Sequence, residues 1–294
     1  MAFLPEGIIP AMVTPLDENE NVIEEPLRKL TNHLIDGGVH GLFPVGSQGE
    51  FFALTPEEKR TVMATVIDET NGRVPVYAGT GGVTTREAVQ LTQMAEDLGI
   101  DAVSVITPYF LSPNDDELYE YYKVIAENTS LPIMLYNNPG RTGVDISLDL
   151  VERVCQIDNI VGIKDSSGDM TFIGELISHT PDDFSVLAGR DTLIYSTLVY
   201  DGQGSITATA NVKPELVVDI YEKFQQGDHA GALKAQYDLA PLRAAFSLGT
   251  FPVVVKEALN MIGIAAGPAR SPVGPMDPDK KEELEQVLKD LEVL

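Results

Sequence analysis

The sequence has one cysteine, few basic residues and no long apolar run, and each shortage excludes a class of protein. Cys155 cannot form an internal disulfide, which fits a reducing compartment, so we expect a cytoplasmic location. The 20 Lys and Arg face 45 Asp and Glu, and a net charge of −25 disfavours nucleic acids and anionic membranes as partners. No segment approaches the roughly 18 apolar residues of a membrane span. The N-terminal residues lack a basic region before an apolar segment, so we expect no secretory signal.

The spacing of a metal site is also missing. The histidines lie outside the predicted strand ends and show no metal-ligand spacing; they are His33, His40, His179 and His229. We therefore expect no bound metal.

Short apolar runs alternate with helix-like segments over most of the chain. The runs begin near eight positions: Ile8, Gly41, Val74, Ala102, Ile133, Ile160, Ser185 and Gly204. Eight such runs separated by amphipathic segments are typical of a parallel sheet that closes into a barrel. We therefore predict an α/β fold, a (β/α)8 TIM barrel, for the catalytic domain over residues 1–225.

Capping patterns mark helix starts, and the last part of the chain is helical throughout. Thr55–Glu58 and Thr84–Glu87 each place a threonine three residues before a glutamate, which is the pattern of a capping box. After residue 225 only helical patterns remain, at residues 230–248, 252–262 and 278–294. We predict a C-terminal helical appendage over residues 226–294, whose exposed apolar area would favour self-association.

Lys164 ends the apolar run that begins at Ile160, and such a run predicts a buried parallel strand. Burial disfavours the charged form of an amine, and a neutral amine is a nucleophile. Barrel active sites lie at the C-terminal ends of the strands, where Tyr136 ends another run and could transfer protons near the amine. A lysine that reaches solvent and a core tyrosine are the alternatives.

The residues Gly46-Ser47-Gln48-Gly49-Glu50 follow the second predicted strand. Two glycines around polar residues indicate a tight turn whose backbone N–H groups can bind a carboxylate. An ordinary turn between a strand and a helix is the alternative.

Three motifs together resemble the dihydrodipicolinate synthase/N-acetylneuraminate lyase family of pyruvate-dependent class I aldolases. They are Gly-x-x-Gly-Glu at 46–50, Tyr-Asn-x-Pro at 136–139 and Ile-Lys-Asp at 163–165. The resemblance covers nearly the whole chain. It implies a barrel with C-terminal helices, a homo-oligomer that is usually a tetramer, and a Schiff base between a lysine and the carbonyl of pyruvate or another 2-keto acid. It implies no cofactor beyond that lysine.

The resemblance also assigns roles to residues. The Schiff-base lysine falls on Lys164, and the proton-transferring tyrosine falls on Tyr136. The backbone amides that bind the pyruvate carboxylate fall on Ser47 and Gln48, with the Ser47 hydroxyl as a proton relay. The backbone carbonyl of Ile206 matches one that faces the bound keto acid.

Other positions bear on the second substrate. Family synthases usually carry two threonines at Ser47-Gln48 and, at Phe110, a tyrosine that reaches the neighbouring subunit's site. Phe110 has no hydroxyl to complete that proton relay, and we expect Tyr109 to point elsewhere because adjacent residues in extended chain alternate faces.

Arg141 and the segment Gly189–Asp191 indicate different second substrates. Arg141 matches a synthase arginine that holds the carboxylate of aspartate semialdehyde, with a structural ion pair as the alternative. Gly189-Arg190-Asp191 is similar to the sugar-binding Gly-x-Asp of lyases, so Gly189 and Asp191 are candidates for binding a polyol chain; capping of the next helix is the alternative for Asp191.

We therefore expect reversible cleavage of a 2-keto-3-deoxy sugar acid, or a related hydroxylated 2-keto acid, to pyruvate and an aldehyde. The alternative is 4-hydroxy-tetrahydrodipicolinate synthase, which condenses pyruvate with aspartate semialdehyde. Dehydratases and deaminases that use the same iminium stay open. A non-catalytic keto-acid-binding barrel is disfavoured because Lys164 and Tyr136 are both present.

Overall fold

Parallel strands alternate with helices in the computed structural model, which describes residues 3–294. The strands are β1 (Gly7–Pro10), β2 (Tyr77–Gly79), β3 (Ala102–Ile106), β4 (Ile133–Asn137), β5 (Ile160–Asp165), β6 (Ser185–Ala188) and β7 (Gly204–Thr207). They form one sheet in the order β1-β7-β6-β5-β4-β3-β2, with successive pairs from β2 to β7 parallel. Met1 and Ala2, in the segment where we expect no secretory signal, lie outside the described residues.

Helices follow most of the strands and make up the end of the chain. They are α1 (Glu24–Asp36), α2 (Pro56–Thr70), α3 (Thr85–Asp97), α4 (Asp115–Glu127), α5 (Pro139–Thr142), α6 (Leu148–Val154), α7 (Met170–His179), α8 (Ile194–Val199), α9 (Pro214–Gln225), α10 (His229–Ala245), α11 (Val253–Met261) and α12 (Pro278–Asp290). Short 3-10 turns precede α8 and α9 and follow α10. The α/β class and the three helices predicted after residue 225 are confirmed.

Two of the eight predicted strands differ from expectation. The run from Gly41 forms only isolated bridges, Ala11 with Phe43 and Leu42 with Val76, and no strand is assigned there within residues 3–294. Pro44 has no N–H to donate to a ladder, and Val45 has a positive φ of 56°, outside the β region. The ladder therefore cannot extend along this run.

The third predicted strand begins later than expected. The sequence predicts a start at Val74, whereas β2 begins at Tyr77. Pro75 interrupts the run, because a proline cannot donate a ladder hydrogen bond. The other six predicted strands begin within one residue of their predicted starts.

The two predicted capping boxes have different outcomes. At the start of α2, the Glu58 N–H donates to the Thr55 hydroxyl and the Thr55 N–H donates to the Glu58 carboxylate, so the box is complete. At the start of α3, the Glu87 N–H donates to the Thr84 hydroxyl, but the Glu87 carboxylate accepts from Val83 instead of Thr84. The second box is therefore only half formed.

Contacts divide the chain into two compact units. The first consists of the described residues up to Gly7 and of Tyr77–Ile206, and it contains β2 to β6 with most of β7. The second consists of Ile8–Val76 and Thr207–Leu294, where α10 packs on α9 and on α12. The predicted domain boundary near residue 225 stays a prediction.

Membrane-spanning potential is limited to one bent pair of helices. Within residues 3–294, no single helix is long and apolar enough to cross a membrane. The helical segments His229–Leu248 and Val253–Met261 pass the same test only together, although they meet at a bend of 117°.

Candidate active site

Lys164 and Tyr136 lie side by side at the carboxyl ends of β5 and β4. The two residues are register partners in the parallel ladder, so their side chains point to the same face of the sheet. The Lys164 amine lies 4.1 Å from the centre of the Tyr136 ring, and both residues are at most 5% exposed. The first unit thus buries a primary amine against the face of a phenol.

The side chains that alternate with this pair connect the two strand ends from the opposite face. The Asn137 amide donates to Asp165 and to Asp145, 2.9 Å in each case, and the Ser167 hydroxyl donates to Asp165 at 2.6 Å. Asn137 is fully buried, and burial raises the pKa of Asp165, although the hydrogen bonds from Ser167 and Asn137 act against this. This network fixes the backbone that presents Tyr136 and Lys164.

The segment after β6 is built around a glycine. The Gly189 N–H donates to the Asp165 carbonyl at 2.6 Å, and a Cβ on Gly189 would lie 2.0 Å from the Ser166 hydroxyl oxygen. Only glycine fits there, and its N–H is already used. A substrate role for Gly189 therefore rests on its carbonyl or on the space it leaves.

Asp191 follows Gly189 and is 3% exposed. It opens a 3-10 turn, whereas the N-cap residue of α8 is Leu193, with no side-chain capping hydrogen bond. Asp191 therefore does not occupy the N-cap position of α8, and its role stays a prediction.

Ile206 and Arg141 lie in the same unit as Lys164 but differ in exposure. Ile206 is in β7 and is 1% exposed, and β7 pairs with β6, the neighbour of β5. Arg141 lies in α5, the short helix that follows β4, and is exposed. Arg141 therefore lies at the surface, one turn after the strand that carries Tyr136.

Tyr109 and Phe110 follow β3 and have different environments, but the chain is not extended at Phe110, so the expected alternation of faces stays a prediction. Tyr109 is half-buried, and burial raises the pKa of its phenol. Phe110 is 96% exposed and has a positive φ of 73°.

The turn at residues 46–50 lies in the second unit and is tightly packed. The Glu50 N–H donates to the Ser47 carbonyl at 3.1 Å, and the Thr14 hydroxyl donates to the Gly49 carbonyl at 2.7 Å. A Cβ on Gly49 would lie 3.0 Å from the Met12 carbonyl oxygen, so glycine permits this close approach. Ser47 is half-buried at the tip of the turn.

Gln48 carries a buried carbonyl oxygen that lacks a hydrogen-bond partner among the described residues. The residue is 7% exposed. Because an unsatisfied buried acceptor costs free energy, this oxygen is suited to a donor that arrives with a ligand.

Glu50 anchors the same turn to the C-terminal helices through a buried ion pair. One oxygen of the Glu50 carboxylate, Oε1, lies 2.6 Å from the Lys256 amine of α11. The other, Oε2, accepts from the backbone N–H of Arg270 at 2.8 Å. Lys256 also donates to the Pro268 carbonyl at 2.7 Å and is 0% exposed. Helix α11 and the loop that follows it therefore hold the turn that carries Ser47.

Two residues with clear contacts were not singled out from the sequence. The Asn138 amide donates to the Tyr136 hydroxyl oxygen at 2.9 Å, and no strand periodicity could have indicated this, because Asn138 lies after the end of β4. Lys256 ends a run of three valines, which is the same signal that identified Lys164.

Comparison with known proteins connects this geometry to a family. The sequence model of the dihydrodipicolinate synthetase family matches residues 4–291. The chain belongs to this family. It is accordingly a lyase of the pyruvate-dependent class I aldolase type.

Relatives of the family cover nearly the whole chain. The 4-hydroxy-tetrahydrodipicolinate synthase of Methanoculleus marisnigri is 43% identical, over 96% of this chain and 98% of its own. That of Methanopyrus kandleri is 41% identical, over 100% and 99%. These relatives are named for the condensation of the alternative expectation and not for the cleavage of a sugar acid.

Solved structures of the family superpose closely on this chain. YagE, an E. coli K12 prophage protein of the dihydrodipicolinic acid synthase family solved in complex with pyruvate, has a TM-score of 0.95 and 33% identity, with 98% and 99% of the two chains covered. A monomeric dihydrodipicolinate synthase variant also has a TM-score of 0.95, with 32% identity and coverage of 98% and 97%. The expected tetramer therefore stays a prediction.

Proposed function

We propose that this protein is a 4-hydroxy-tetrahydrodipicolinate synthase, which condenses pyruvate with aspartate semialdehyde through a Schiff base on Lys164. The observation that carries the proposal is the buried contact between the Lys164 amine and the Tyr136 ring, 4.1 Å apart at adjacent strand ends. The names of the relatives support the choice of reaction.

In the proposed first half reaction, the Lys164 amine attacks the carbonyl carbon of pyruvate. The carbonyl oxygen leaves as water, and Tyr136 transfers the protons that this requires. The resulting iminium withdraws electrons, so C3 of pyruvate can lose a proton and attack the aldehyde carbon of the second substrate. No group other than the lysine holds the substrate covalently, and we propose that no metal or other cofactor takes part.

Binding groups for the two substrates are proposed from the site residues. The backbone N–H groups of Ser47 and Gln48 would bind the pyruvate carboxylate, and the Ser47 hydroxyl would relay protons. The Ile206 carbonyl would face the bound keto acid. The exposed guanidinium of Arg141 would hold the carboxylate of aspartate semialdehyde in a bidentate pair.

A second candidate is the cleavage of a hydroxylated 2-keto acid, and one observation favours it. The buried Gln48 carbonyl oxygen has no donor among the described residues, and a substrate hydroxyl would supply one. Asp191, which is buried, and Gly189 after β6 would bind further hydroxyls. Phe110 provides no hydroxyl for proton transfer, which agrees with this candidate.

Measuring both reactions with the same protein tests the proposal. NMR should show pyruvate consumption that depends on aspartate semialdehyde, and Lys164→Met should abolish it. Pyruvate release from a 2-keto-3-deoxy sugar acid, faster than any condensation, would replace the first candidate with the second. Absence of both reactions would indicate the non-catalytic keto-acid-binding protein.

We also propose the complete barrel and its assembly. Residues 41–45 would take the place of the eighth strand, because single bridges join them to Ala11, just after β1, and to Val76, just before β2. Residues 1–225 would form the catalytic barrel and residues 226–294 its helical appendage. A homotetramer in the cytoplasm is the expected assembly, and sedimentation of the purified protein tests it.

A further inference from the structure

The Tyr136 hydroxyl is held by Asn138, the first residue after β4. The Asn138 side-chain amide donates to the Tyr136 oxygen at 2.9 Å. A phenol oxygen that accepts this hydrogen bond must direct its own hydrogen to a different acceptor.

The direction of the Asn138 side chain is fixed by its backbone. The Asn138 carbonyl accepts from the Arg141 N–H at 2.9 Å and from the Thr142 N–H at 3.0 Å. The Thr142 hydroxyl also donates to this carbonyl and is tied to the Thr107 hydroxyl at 3.0 Å. The end of β4 and the start of α5 are therefore locked around Asn138.

The Asn138 side chain has no capping task. It occupies the N-cap position of α5, yet it makes no side-chain capping hydrogen bond. A residue of similar size could replace it without removing a helix cap, because the bonds that hold α5 use the Asn138 backbone. What the side chain does contact is the oxygen of the tyrosine beside Lys164.

We infer that Asn138 is a positioning residue for Tyr136: its amide orients the hydroxyl and stabilises the phenolate that forms when Tyr136 gives up its proton. A hydrogen bond donated to the charged form of an acid favours that form, and a bond to a charged acceptor is stronger than one to a neutral acceptor. The inference rests on the proposed function, because it assigns this phenol a role in proton transfer during the pyruvate reaction.

Two substitutions of similar size distinguish the loss of the hydrogen-bond donor from a change in side-chain shape. Asn138→Leu removes the donor, and Asn138→Asp replaces it with a carboxylate that repels a phenolate. Asn128→Leu is the matched control, since Asn128 donates to the Val124 carbonyl at an exposed position of the same unit. Thermal unfolding would establish that all three variants are folded.

The first readout is the ionisation of Tyr136 itself. With ¹³C at the tyrosine ζ carbons, the Tyr136 resonance is identified by its loss in Tyr136→Phe, and its shift is followed with pH. We expect the midpoint to rise by about one pH unit in Asn138→Leu, the equivalent of a tenfold change, and further in Asn138→Asp. An unchanged midpoint in both variants would overturn the inference.

The second readout is exchange of the pyruvate methyl protons for deuterium. The pH profile of this exchange should move to higher pH with the Tyr136 midpoint in Asn138→Leu and stay in place in Asn128→Leu. If the Tyr136 midpoint moves but the pH profile of the exchange does not, the role of Asn138 in catalysis is overturned. If wild-type protein traps no pyruvate with borohydride, the proposed function fails, whereas the Tyr136 midpoint still decides whether the hydrogen bond acts as inferred.

Discussion

Lys164 and Lys256 are both buried lysines at the end of an apolar run, but their surroundings differ. Lys256 is 0% exposed and lies between the Glu50 carboxylate at 2.6 Å and the Pro268 carbonyl at 2.7 Å. Lys164 is 4% exposed and lies over the ring of Tyr136. Lys256 is surrounded by groups that stabilise an ammonium ion, whereas Lys164 contacts a phenol, which can exchange protons.

Burial alone therefore does not indicate a reactive lysine. Burial lowers the pKa of Lys256, and the Glu50 carboxylate acts against that shift. The pair satisfies both charges where water is excluded, which is a structural arrangement. The partner of the lysine, more than its burial, separates the anchor Lys256 from Lys164, the proposed nucleophile.

The largest expected effect is on turnover. Lys164→Met should reduce the condensation rate at least about a thousandfold, on the order of 4 kcal/mol in the barrier, because no other amine replaces the nucleophile. Its stability to urea should be unchanged or higher. Lys123→Met, at a surface position of the same unit, is the control. Substantial turnover in Lys164→Met would end the distinction between the two lysines.

The second effect is on stability. Lys256→Met leaves the Glu50 carboxylate buried without its cation, so unfolding free energy should fall by about 3–5 kcal/mol. Urea titration would measure this. The double variant Glu50→Gln with Lys256→Met removes both charges and should recover most of the loss. If Lys256→Met were as stable as wild type, the ion pair would not anchor the turn.

The third prediction concerns Gln48, which lies in the same turn as Glu50. Gln48→Leu removes an unpartnered buried acceptor, so stability should stay the same or rise by about 1 kcal/mol. Cleavage of a hydroxylated keto acid, if this is the reaction, should fall about tenfold. Rates of both reactions and a urea titration would be measured. A loss of stability in this variant would show that the Gln48 oxygen is satisfied in the free protein.

The smallest expected effect concerns Asp165, the carboxylate beside Lys164. Burial raises its folded-state pKa above 3.8, with Asp145 contributing in the same direction, so the folded protein holds this proton to higher pH than the unfolded chain. The contribution of Asp165 to stability is thus lost as pH rises from about 4 through the folded-state pKa.

Asp165→Asn removes that dependence. The unfolding free energy of wild type minus that of the variant should fall as the pH rises above about 4, as measured by urea titration. The substitution also places an amide next to the Ser167 N–H, which donates to Asp165 in the wild type. The free-energy cost of that change does not depend on pH, so it cancels from this comparison. A difference that stays constant or grows with pH would contradict the assignment.

Local patterns predicted much of the fold, and they were wrong where a proline interrupted them. The runs at Ile133 and Ile160 became β4 and β5, and their ends met as expected because parallel strands finish at one edge. Pro44 and Pro75 changed two other strands, since a missing N–H matters more than apolar character in a ladder.

The site was predictable where the signal lay within one strand or one motif. Tyr136 and Lys164 follow from strand ends. The pairing of Glu50 with Lys256 does not, because no local pattern relates a turn near the start of the chain to a helix near its end. The half-formed capping box at Thr84 likewise depends on where the Glu87 carboxylate finds its donor.

The most direct test of the account is to treat the protein with pyruvate and borohydride, digest it and locate the modified lysine by mass spectrometry. The account predicts one pyruvate-derived adduct, on the peptide that contains Lys164, with Lys256 unmodified. An adduct on Lys256 or another lysine, or no adduct at all, would contradict the claim that Lys164 is the nucleophile.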